Sequence, residues 1–226
     1  LRLINTATAR VFPIRIEGLA GQVVALDGMP LSKPRDLHDF QIAPAQRVDL
    51  IGDVTSVVNF LFVLRDDIYE MGSLKLEGEN PTPVTSLVEA LPAANVMRPT
   101  DTPDQSLTLK MEGGAMGGRH GGDNIWAFNG ISGLQDMPFA RFKRGETAVF
   151  DLINDTSFPH GIHLHGHHFF EVNEDGSLGD LRDTSLVERG TSRKIAVVFD
   201  NPGKWLLHCH MLGHQASGMK TWVEVL

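Results

Sequence analysis

The residues best suited to chemistry in this chain are histidines, crowded into two short segments of its C-terminal half. All ten histidines except His38 and His120 lie between residues 160 and 214. The first segment reads HGIHLHGHH from residue 160, and the second reads HCHMLGH from residue 208. Imidazole and thiolate groups at such short spacings are typical ligands of transition metals.

Cys209, the only cysteine of the chain, lies inside the second segment. A single thiol cannot form a disulfide within the chain, so it is free, bound to a metal or paired with another chain. Along a strand, successive side chains point to opposite faces. If KWLLHCH is a strand, Trp205, Leu207 and Cys209 share its apolar face, and His208 and His210 share the other.

The first segment divides in the same way. His160, Ile162 and Leu164 share the face that the apolar residues mark as inward. His163 and His165 share the opposite face. This alternation predicts that His160 lies with Cys209 inside the domain, while His163 and His165 point out of it.

Two metal sites follow from these faces. The inward site is formed by His160, Cys209 and His214, with Met219 five residues further on. Two imidazoles, one thiolate and a weak axial thioether form the blue-copper arrangement used for electron transfer. The outward site is an all-imidazole set that suits Cu, Zn, Fe or Ni. Its members are His163, His165, His208 and His210.

Two other chemistries use similar residues. A structural zinc site accepts Cys and His, but it does not need paired histidines on both sides of a cysteine and a methionine ten residues later. A hydrolase with a Cys–His pair needs one nearby imidazole, and it gives no role to histidines on both sides of Cys209. Copper therefore explains the pattern better than either alternative.

The elements that must position these residues read as short strands. Apolar runs such as VFPIRIEG, QVVALDG, RVDLIGD, VVNFLFVL and RKIAVVF alternate with turn residues, and no window predicts a long helix. A proline-rich stretch from about Pro81 to Asp104 separates two strand-rich parts. We therefore predict an all-β protein built of sandwiches. The glycine-rich loop with Met111, Met116 and His120 is read as a linker or as a Cu(I) site with soft ligands.

Composition excludes several function classes. The 226 residues include 20 Lys and Arg against 28 Asp and Glu, a net charge of −8. An acidic chain without a basic run is a poor partner for nucleic acid or anionic lipid. No apolar stretch reaches the roughly 20 residues of a membrane helix. The chain begins at Leu1 without the features of a signal peptide, so we expect a segment of a longer protein.

The two histidine segments resemble a known family. HGIHLHGH is similar to the motif H-P-x-H-L-H-G-H, with Gly161 in place of the usual proline, and HCHMLGHQASGM matches H-C-H-x-x-x-H-x-x-x-x-M. Together they resemble the C-terminal cupredoxin domain of multicopper oxidases, such as laccases and bacterial copper-efflux oxidases. LRLINTATARVF and DFQIAPAQRVDLIGD resemble the second half of that family's copper-free middle domain.

The resemblance implies cupredoxin-like Greek-key β-sandwiches, one partial and one complete. Residues 1–92 would be part of the middle domain, 93–104 a linker, and 105–226 the C-terminal domain with type 1 copper and half of the trinuclear ligands. It implies type 1 ligands His160, Cys209 and His214, with Met219 axial. It also implies that His163 binds type 2 copper, and that the type 3 pair is bound by His165, His208 and His210.

The function that the resemblance implies is that of a laccase-type oxidase. A phenol, an amine or a metal ion would lose one electron at type 1 copper, and Cys209 with its neighbours His208 and His210 would carry electrons to the trinuclear cluster, where dioxygen becomes water. Such proteins are periplasmic or secreted. The alternative is a blue-copper electron-transfer module that does not reduce dioxygen.

Two further departures from the family pattern matter. The trinuclear cluster also uses two His-x-His pairs of an N-terminal domain, but residues 1–159 contain only His38 and His120. We therefore expect that domain as a partner and predict that this chain alone is inactive. Gln215 stands where some bacterial members have a carboxylate that supplies protons. His167 and His168 receive no ligand role, and Asp183 is a candidate hydrogen-bond partner for a ligating histidine.

Overall fold

A computed structural model describes residues 1–65, 67–78, 88–114 and 125–226 of the chain. The described residues form two compact units, Leu1–Ala94 and Asn95–Leu226. The predicted all-β fold is confirmed, since one short helix is the only helical element in these ranges. None of the described helical residues forms a segment long and apolar enough to cross a bilayer. The proposed soft-ligand residues Met116 and His120 lie outside the described residues, as do Pro81 and Pro83.

The first unit is a single antiparallel sheet. Its strands are β1 (Arg2–Ile4), β2 (Phe12–Leu26), β3 (Met29–Asp36), β4 (Phe40–Ile42), β5 (Arg47–Leu64) and β6 (Asp67–Leu74). The order is β1-β5-β2-β3, with β4 paired to β2 and β6 paired to β5. Its apolar core is formed by Ile14, Leu26, Leu31, Ile42, Val48 and Leu50. The domain boundaries at residues 92 and 104 stay predictions. Along the chain, the first compact unit ends at Ala94 and the second begins at Asn95.

Two long strands replace four predicted short ones. The runs VFPIRIEG and QVVALDG belong to the continuous β2, and RVDLIGD and VVNFLFVL belong to β5. Prediction of separate strands was wrong because glycines that read as turns sit where the two strands approach closely. A Cβ on Gly18 would lie 2.1 Å from the Val57 carbonyl oxygen, and one on Gly52 would lie 2.4 Å from Gly21 Cα. Gly18 lies at a register shift between Glu17 and Leu19, whereas Gly52 pairs with Gly21 in regular register.

The second unit is a two-sheet sandwich. Its strands are β7 (Gln105–Gly113), β8 (Trp126–Phe128), β9 (Ala140–Phe142), β10 (Glu146–Asn154), β11 (His160–Leu164), β12 (Phe169–Val172), β13 (Leu178–Arg182), β14 (Thr184–Val187), β15 (Ser192–Phe199), β16 (Gly203–Cys209) and β17 (Lys220–Val225). One sheet has the order β13-β12-β15-β10-β7-β8 and the other β14-β11-β16-β17-β9. Phe142 and Phe199, from different sheets, stack with ring centroids 3.7 Å apart. The core therefore lies between the sheets.

The two histidine segments are neighbours in this sandwich. Strand β11 pairs with β16 in antiparallel register, which places Ile162 opposite Cys209 and His163 opposite His208. A helix of five residues, α1 (Leu212–Ala216), follows β16 and leads to β17. The apolar spacing predicts no long helix, and these five residues are too few to show a helical period. This pairing brings the histidines of the first segment next to Cys209 and His208 of the second.

Candidate metal centres

Three donor atoms meet inside the sandwich, and we call His160, Cys209 and His214 the inner site. The Nδ1 atoms of His160 and His214 lie 3.0 Å apart. Cys209 Sγ lies 3.7 Å from each of them. These separations allow one ion to bond all three atoms at ordinary transition-metal lengths of about 2.0–2.3 Å. His160 and Cys209 are fully buried.

Backbone hydrogen bonds fix the chain around the inner site. The Cys209 amide donates to the Met219 carbonyl at 3.1 Å, and the Met219 amide donates to the His214 carbonyl at 2.9 Å. Strand β16, helix α1 and the start of β17 are thus tied together at the ligands. The Met219 side chain is fully buried. Its predicted role as axial ligand stays a prediction.

Trp126 covers the inner site, a role that sequence analysis missed because an isolated tryptophan reads as core. Its ring centroid lies 4.3 Å from that of His214, at an interplanar angle of 36°. The His160 ring meets it edge-on at 5.0 Å. Trp126 is only 4% exposed. Its indole therefore packs against both imidazoles and helps to exclude water from them.

Burial sets the protonation of the inner site. Desolvation lowers the pKa of His160 to about 3 and that of His214 to about 4. Both imidazoles are neutral at pH 7 and hold a free lone pair. Desolvation also raises the pKa of the Cys209 thiol to about 12. Metal binding must therefore displace the thiol proton, as it does at coordinating cysteines.

A second group of imidazoles lies on the other face of the same strands. The outer cluster is His163, His165 and His208, whose candidate ligand nitrogens all lie within 4.8 Å of one another. The Nε2 atoms of His165 and His208 are 3.0 Å apart. His165 is exposed, His163 is half-buried and His208 is 3% exposed. The alternating faces predicted from the sequence agree with this division between inner site and outer cluster.

Two backbone carbonyls orient the outer imidazoles. His163 Nδ1 lies 2.7 Å from the Asp183 carbonyl oxygen, and His208 Nδ1 lies 2.9 Å from that of Cys209. Each Nδ1–H donates there, which leaves Nε2 free to bind a metal. Asp183 thus does contact His163, but mainly through its backbone, since its carboxylate oxygen is 3.8 Å away. Burial lowers the pKa of His208 to about 4.

His210, the fourth predicted member of the outward set, lies beside the outer cluster. Its ring centroid is 5.5 Å from that of His163 and 5.4 Å from that of His208. The three-residue group does not include it. Cys209 stands between His208 and His210 in the chain, so the inner site and the outer imidazoles are joined through adjacent residues.

His167 is a packed residue in this structure. It is 5% exposed, and its ring lies 5.0 Å from that of Phe199. Its Nδ1 is 3.3 Å from the His165 carbonyl oxygen, and its Nε2 accepts from the Asn201 amide at 3.4 Å. His168 is half-buried. Neither residue belongs to a ligand group among the described residues.

Comparison with known proteins identifies similar sequences over nearly the whole chain. A family model described as "Multicopper oxidase" matches residues 101–226, and a second model with that description matches residues 1–90. Multicopper oxidase MmcO of Mycobacterium tuberculosis is 31% identical over all of this chain and 46% of its own length. Copper resistance protein A of Escherichia coli is 40% identical over 44% of this chain and 16% of its own length.

Solved structures show the same similarity. Lac15 from a marine microbial metagenome superposes with a TM-score of 0.83 at 49% identity, over 100% of this chain and 54% of that one. A multi-copper oxidase from Pseudomonas thermotolerans superposes with a TM-score of 0.80 at 25% identity, again over 100% and 54%. The chain therefore spans about half the length of these relatives.

Proposed function

Because this chain belongs to the multicopper oxidase family, whose cofactor is copper, we propose that it acts as part of a laccase-type oxidase. Copper bound here would supply one-electron chemistry, taking electrons from a small reducing substrate at a type 1 site and passing them to a trinuclear cluster that reduces dioxygen to water. The observation that carries this proposal is the inner site, where two neutral imidazoles and one thiol converge within 3.0–3.7 Å.

The donor set of the inner site fits type 1 copper. We propose that His160, Cys209 and His214 bind it, with Met219 as the axial ligand. Trp126 excludes water from the two imidazoles.

The outer imidazoles fit the remaining copper sites of the family. We propose His163 for type 2 copper and, for the type 3 pair, His165, His208 and His210. His208 and His210 flank Cys209 directly, so the shortest covalent route between the two kinds of site runs through these three residues. The carbonyl contacts of His163 and His208 hold their Nε2 atoms available.

The proposed cluster needs ligands from elsewhere. Before residue 160 the sequence offers only His38 and His120, so we propose that an N-terminal cupredoxin domain supplies the missing imidazoles. We further propose that this chain alone does not reduce dioxygen. Without that partner, the inner site supports the alternative function of a blue-copper electron-transfer module.

Substrate and location are proposed at the level of class. The substrate would be a phenol, an amine or a metal ion, and the location periplasmic or secreted; one of the similar proteins bears the name copper resistance protein A. Gln215, which follows His214, is half-buried and carries no acidic proton. Protons for dioxygen reduction would have to come from another group.

The test is a Cu(II) titration of the chain, followed by visible absorption. We expect an intense blue thiolate-to-copper band that saturates at one copper per chain. It should be absent from Cys209→Ser and unchanged in His38→Ala, where an exposed histidine of the first unit is removed. A folded chain that binds copper without this band would contradict the proposal. Dioxygen consumption with a phenolic donor, measured on the same sample, would contradict the proposed dependence on a second domain.

A further inference from the structure

A buried asparagine anchors the loop that leads into the inner site. Asn154 ends β10 and is 1% exposed. Its Nδ2 lies 2.7 Å from the carbonyl oxygen of Phe158, 3.0 Å from that of Glu188 and 3.1 Å from that of Val187. Only the NH₂ end of an amide donates, so three carbonyls around one atom fix the orientation of the side chain. The Oδ1 atom of Asn154 must then face Thr156.

The hydroxyl of Thr156 links this asparagine to His160. Thr156 Oγ1 lies 2.7 Å from Asn154 Oδ1 and 2.8 Å from His160 Nε2. It also accepts from the Phe158 amide at 3.2 Å. The Phe158 carbonyl is also 3.0 Å away, but a proton directed there would leave Thr156 Oγ1 and Asn154 Oδ1 facing each other at 2.7 Å without a proton between them. A hydroxyl has one proton and two lone pairs. Its proton goes to Asn154 Oδ1, and its lone pairs accept from the Phe158 amide and from His160 Nε2–H.

The opposite tautomer of His160 breaks this arrangement. If Nε2 carried no proton, the Thr156 hydroxyl would have to turn its own proton towards His160. Thr156 Oγ1 and Asn154 Oδ1 would then face each other at 2.7 Å without a proton between them. Two oxygen atoms that both act as acceptors repel at this distance. The network therefore favours Nε2–H, and the Nδ1 lone pair of His160 points at Cys209 and His214.

We propose that Asn154 and Thr156 are positioning residues that hold His160 in the Nε2–H tautomer and so preset its Nδ1 as a ligand. Neither residue contacts the other two donors of the inner site through the bonds described above. They act through His160: Thr156 accepts its Nε2 proton, and Asn154 orients the Thr156 hydroxyl. Partners of this kind fix the tautomer and raise the basicity of ligating imidazoles. The effect on copper rests on the proposed function, but the tautomer does not.

The first experiment therefore uses the metal-free chain. Long-range ¹H–¹⁵N correlation spectra of ¹⁵N-histidine-labelled protein report which nitrogen of His160 carries the proton. We expect Nε2–H in the wild type and in Thr156→Ser, which keeps the hydroxyl. In Thr156→Val, Nε2–H would face a methyl group, and a buried donor without an acceptor is unfavourable. The tautomer should shift towards Nδ1–H, which His214 Nδ1 can accept at 3.0 Å.

The second experiment measures copper. Cu(II) affinity should fall about 10–100-fold in Thr156→Val, and the reduction potential should rise because a less basic imidazole stabilises Cu(II) less. Thr156→Ser should restore both values. Thr108→Val, at an exposed strand position of the same unit, serves as the matched control and should change neither. Equal potentials in Thr156→Val and wild type would overturn the proposal.

The outcomes separate the two proposals. A wild-type spectrum with Nδ1–H on His160 would overturn the positioning role, whatever copper does. A wild-type chain with Nε2–H and no blue band would contradict the proposed function and leave the positioning role supported. If Thr156→Val does not fold, Nδ1–H on His160 in the wild type, or a change of tautomer in Thr156→Ser, would still overturn the positioning role.

Discussion

The inner site and the outer cluster share one pair of strands but differ in burial and in the donor atoms that they offer. In the inner site His160 and Cys209 are fully buried, and Trp126 packs against the half-buried His214. The outer cluster includes the exposed His165, and backbone carbonyls contact the Nδ1 atoms of His163 and His208. Because side chains alternate along a strand, the same run of residues contributes to both groups, one on each face. One face gathers two imidazoles and a thiol inside the sandwich, and the other gathers three imidazoles, one of which is exposed.

The strongest test of this comparison removes one histidine from each face of β11. His160→Ala should abolish the blue band entirely, because the inner site loses one of its three donors. His163→Ala should leave the band at full intensity, since its imidazole lies in the outer cluster. Visible absorption at saturating copper measures both. Loss of the band in a folded His163→Ala variant would show that the two sites are not separate.

The pH dependence of metal affinity should also distinguish the inner site from the outer cluster. The metal-free thiol has a pKa of about 12, whereas the imidazoles of the inner site have pKa values of about 3 and about 4. From pH 6 to pH 8, copper binding there displaces one proton, from Cys209 alone. Its affinity should rise about tenfold per pH unit. The outer cluster offers imidazoles whose pKa values burial has lowered, so its affinity should stay flat above neutral pH.

Competition titrations at three pH values would measure these slopes. Zn²⁺ bound to Cys209→Ser, which keeps the outer imidazoles and has no thiol proton to displace, provides the reference for the flat dependence. An inner site whose copper affinity did not change with pH would mean that Cys209 is already a thiolate without metal.

A glycine tests how tightly the inner site is packed. Gly218 has a φ of +115°, and a Cβ there would lie 1.9 Å from Ser132 Oγ and 2.4 Å from the Trp126 carbonyl oxygen. Gly218→Ala should cost roughly 3 kcal/mol or more of stability and should weaken the inner site more than the outer cluster. Gly176 also has a positive φ, of +84°, but open space around it. Gly176→Ala should cost about 1 kcal/mol. Chemical denaturation compares the two; equal losses would contradict the packing argument.

The smallest effect is expected at the proposed axial ligand. Met219→Leu keeps the volume of a fully buried side chain, so stability should fall by less than about 1.5 kcal/mol. The blue band should persist while the reduction potential rises, because the axial thioether is lost. Met111→Leu makes the same change at another fully buried methionine and should leave the potential unchanged. An unchanged potential in Met219→Leu would remove Met219 from the ligand set.

The division of histidines between two faces was predictable because alternation along a strand is a local rule. The segments from His160 and His208 obey it without a bulge where β11 and β16 pair. The same rule did not show that β2 and β5 are long. Gly18 reads as a turn residue in the sequence, and its close approach to Val57 is visible only once the strands are paired. Neither could it place Trp126, which comes from another sheet.

The network around His160 was missed for a related reason. Thr156 and Asn154 lie in a stretch that reads as an ordinary turn, with Pro159 next to the histidine. Their role depends on which side-chain atoms face each other and on carbonyls of β14 and the residue after it. Such contacts depend on tertiary packing, which the spacing of residues in a sequence motif does not predict. A polar residue four positions before a ligating histidine is the signal to look for.

The pairing of β11 with β16 also has a kinetic consequence. Cys209 and His214 are five residues apart, whereas Cys209 and His160 are separated by 49. During refolding the local pair is available at once, but His160 arrives only when a long loop closes, which is the slower event. Copper present at the start would meet Cys209, His208, His210 and His214 on an unstructured chain and delay the docking of β11. Refolding without metal, followed by copper, should therefore give the higher yield of correctly ligated protein.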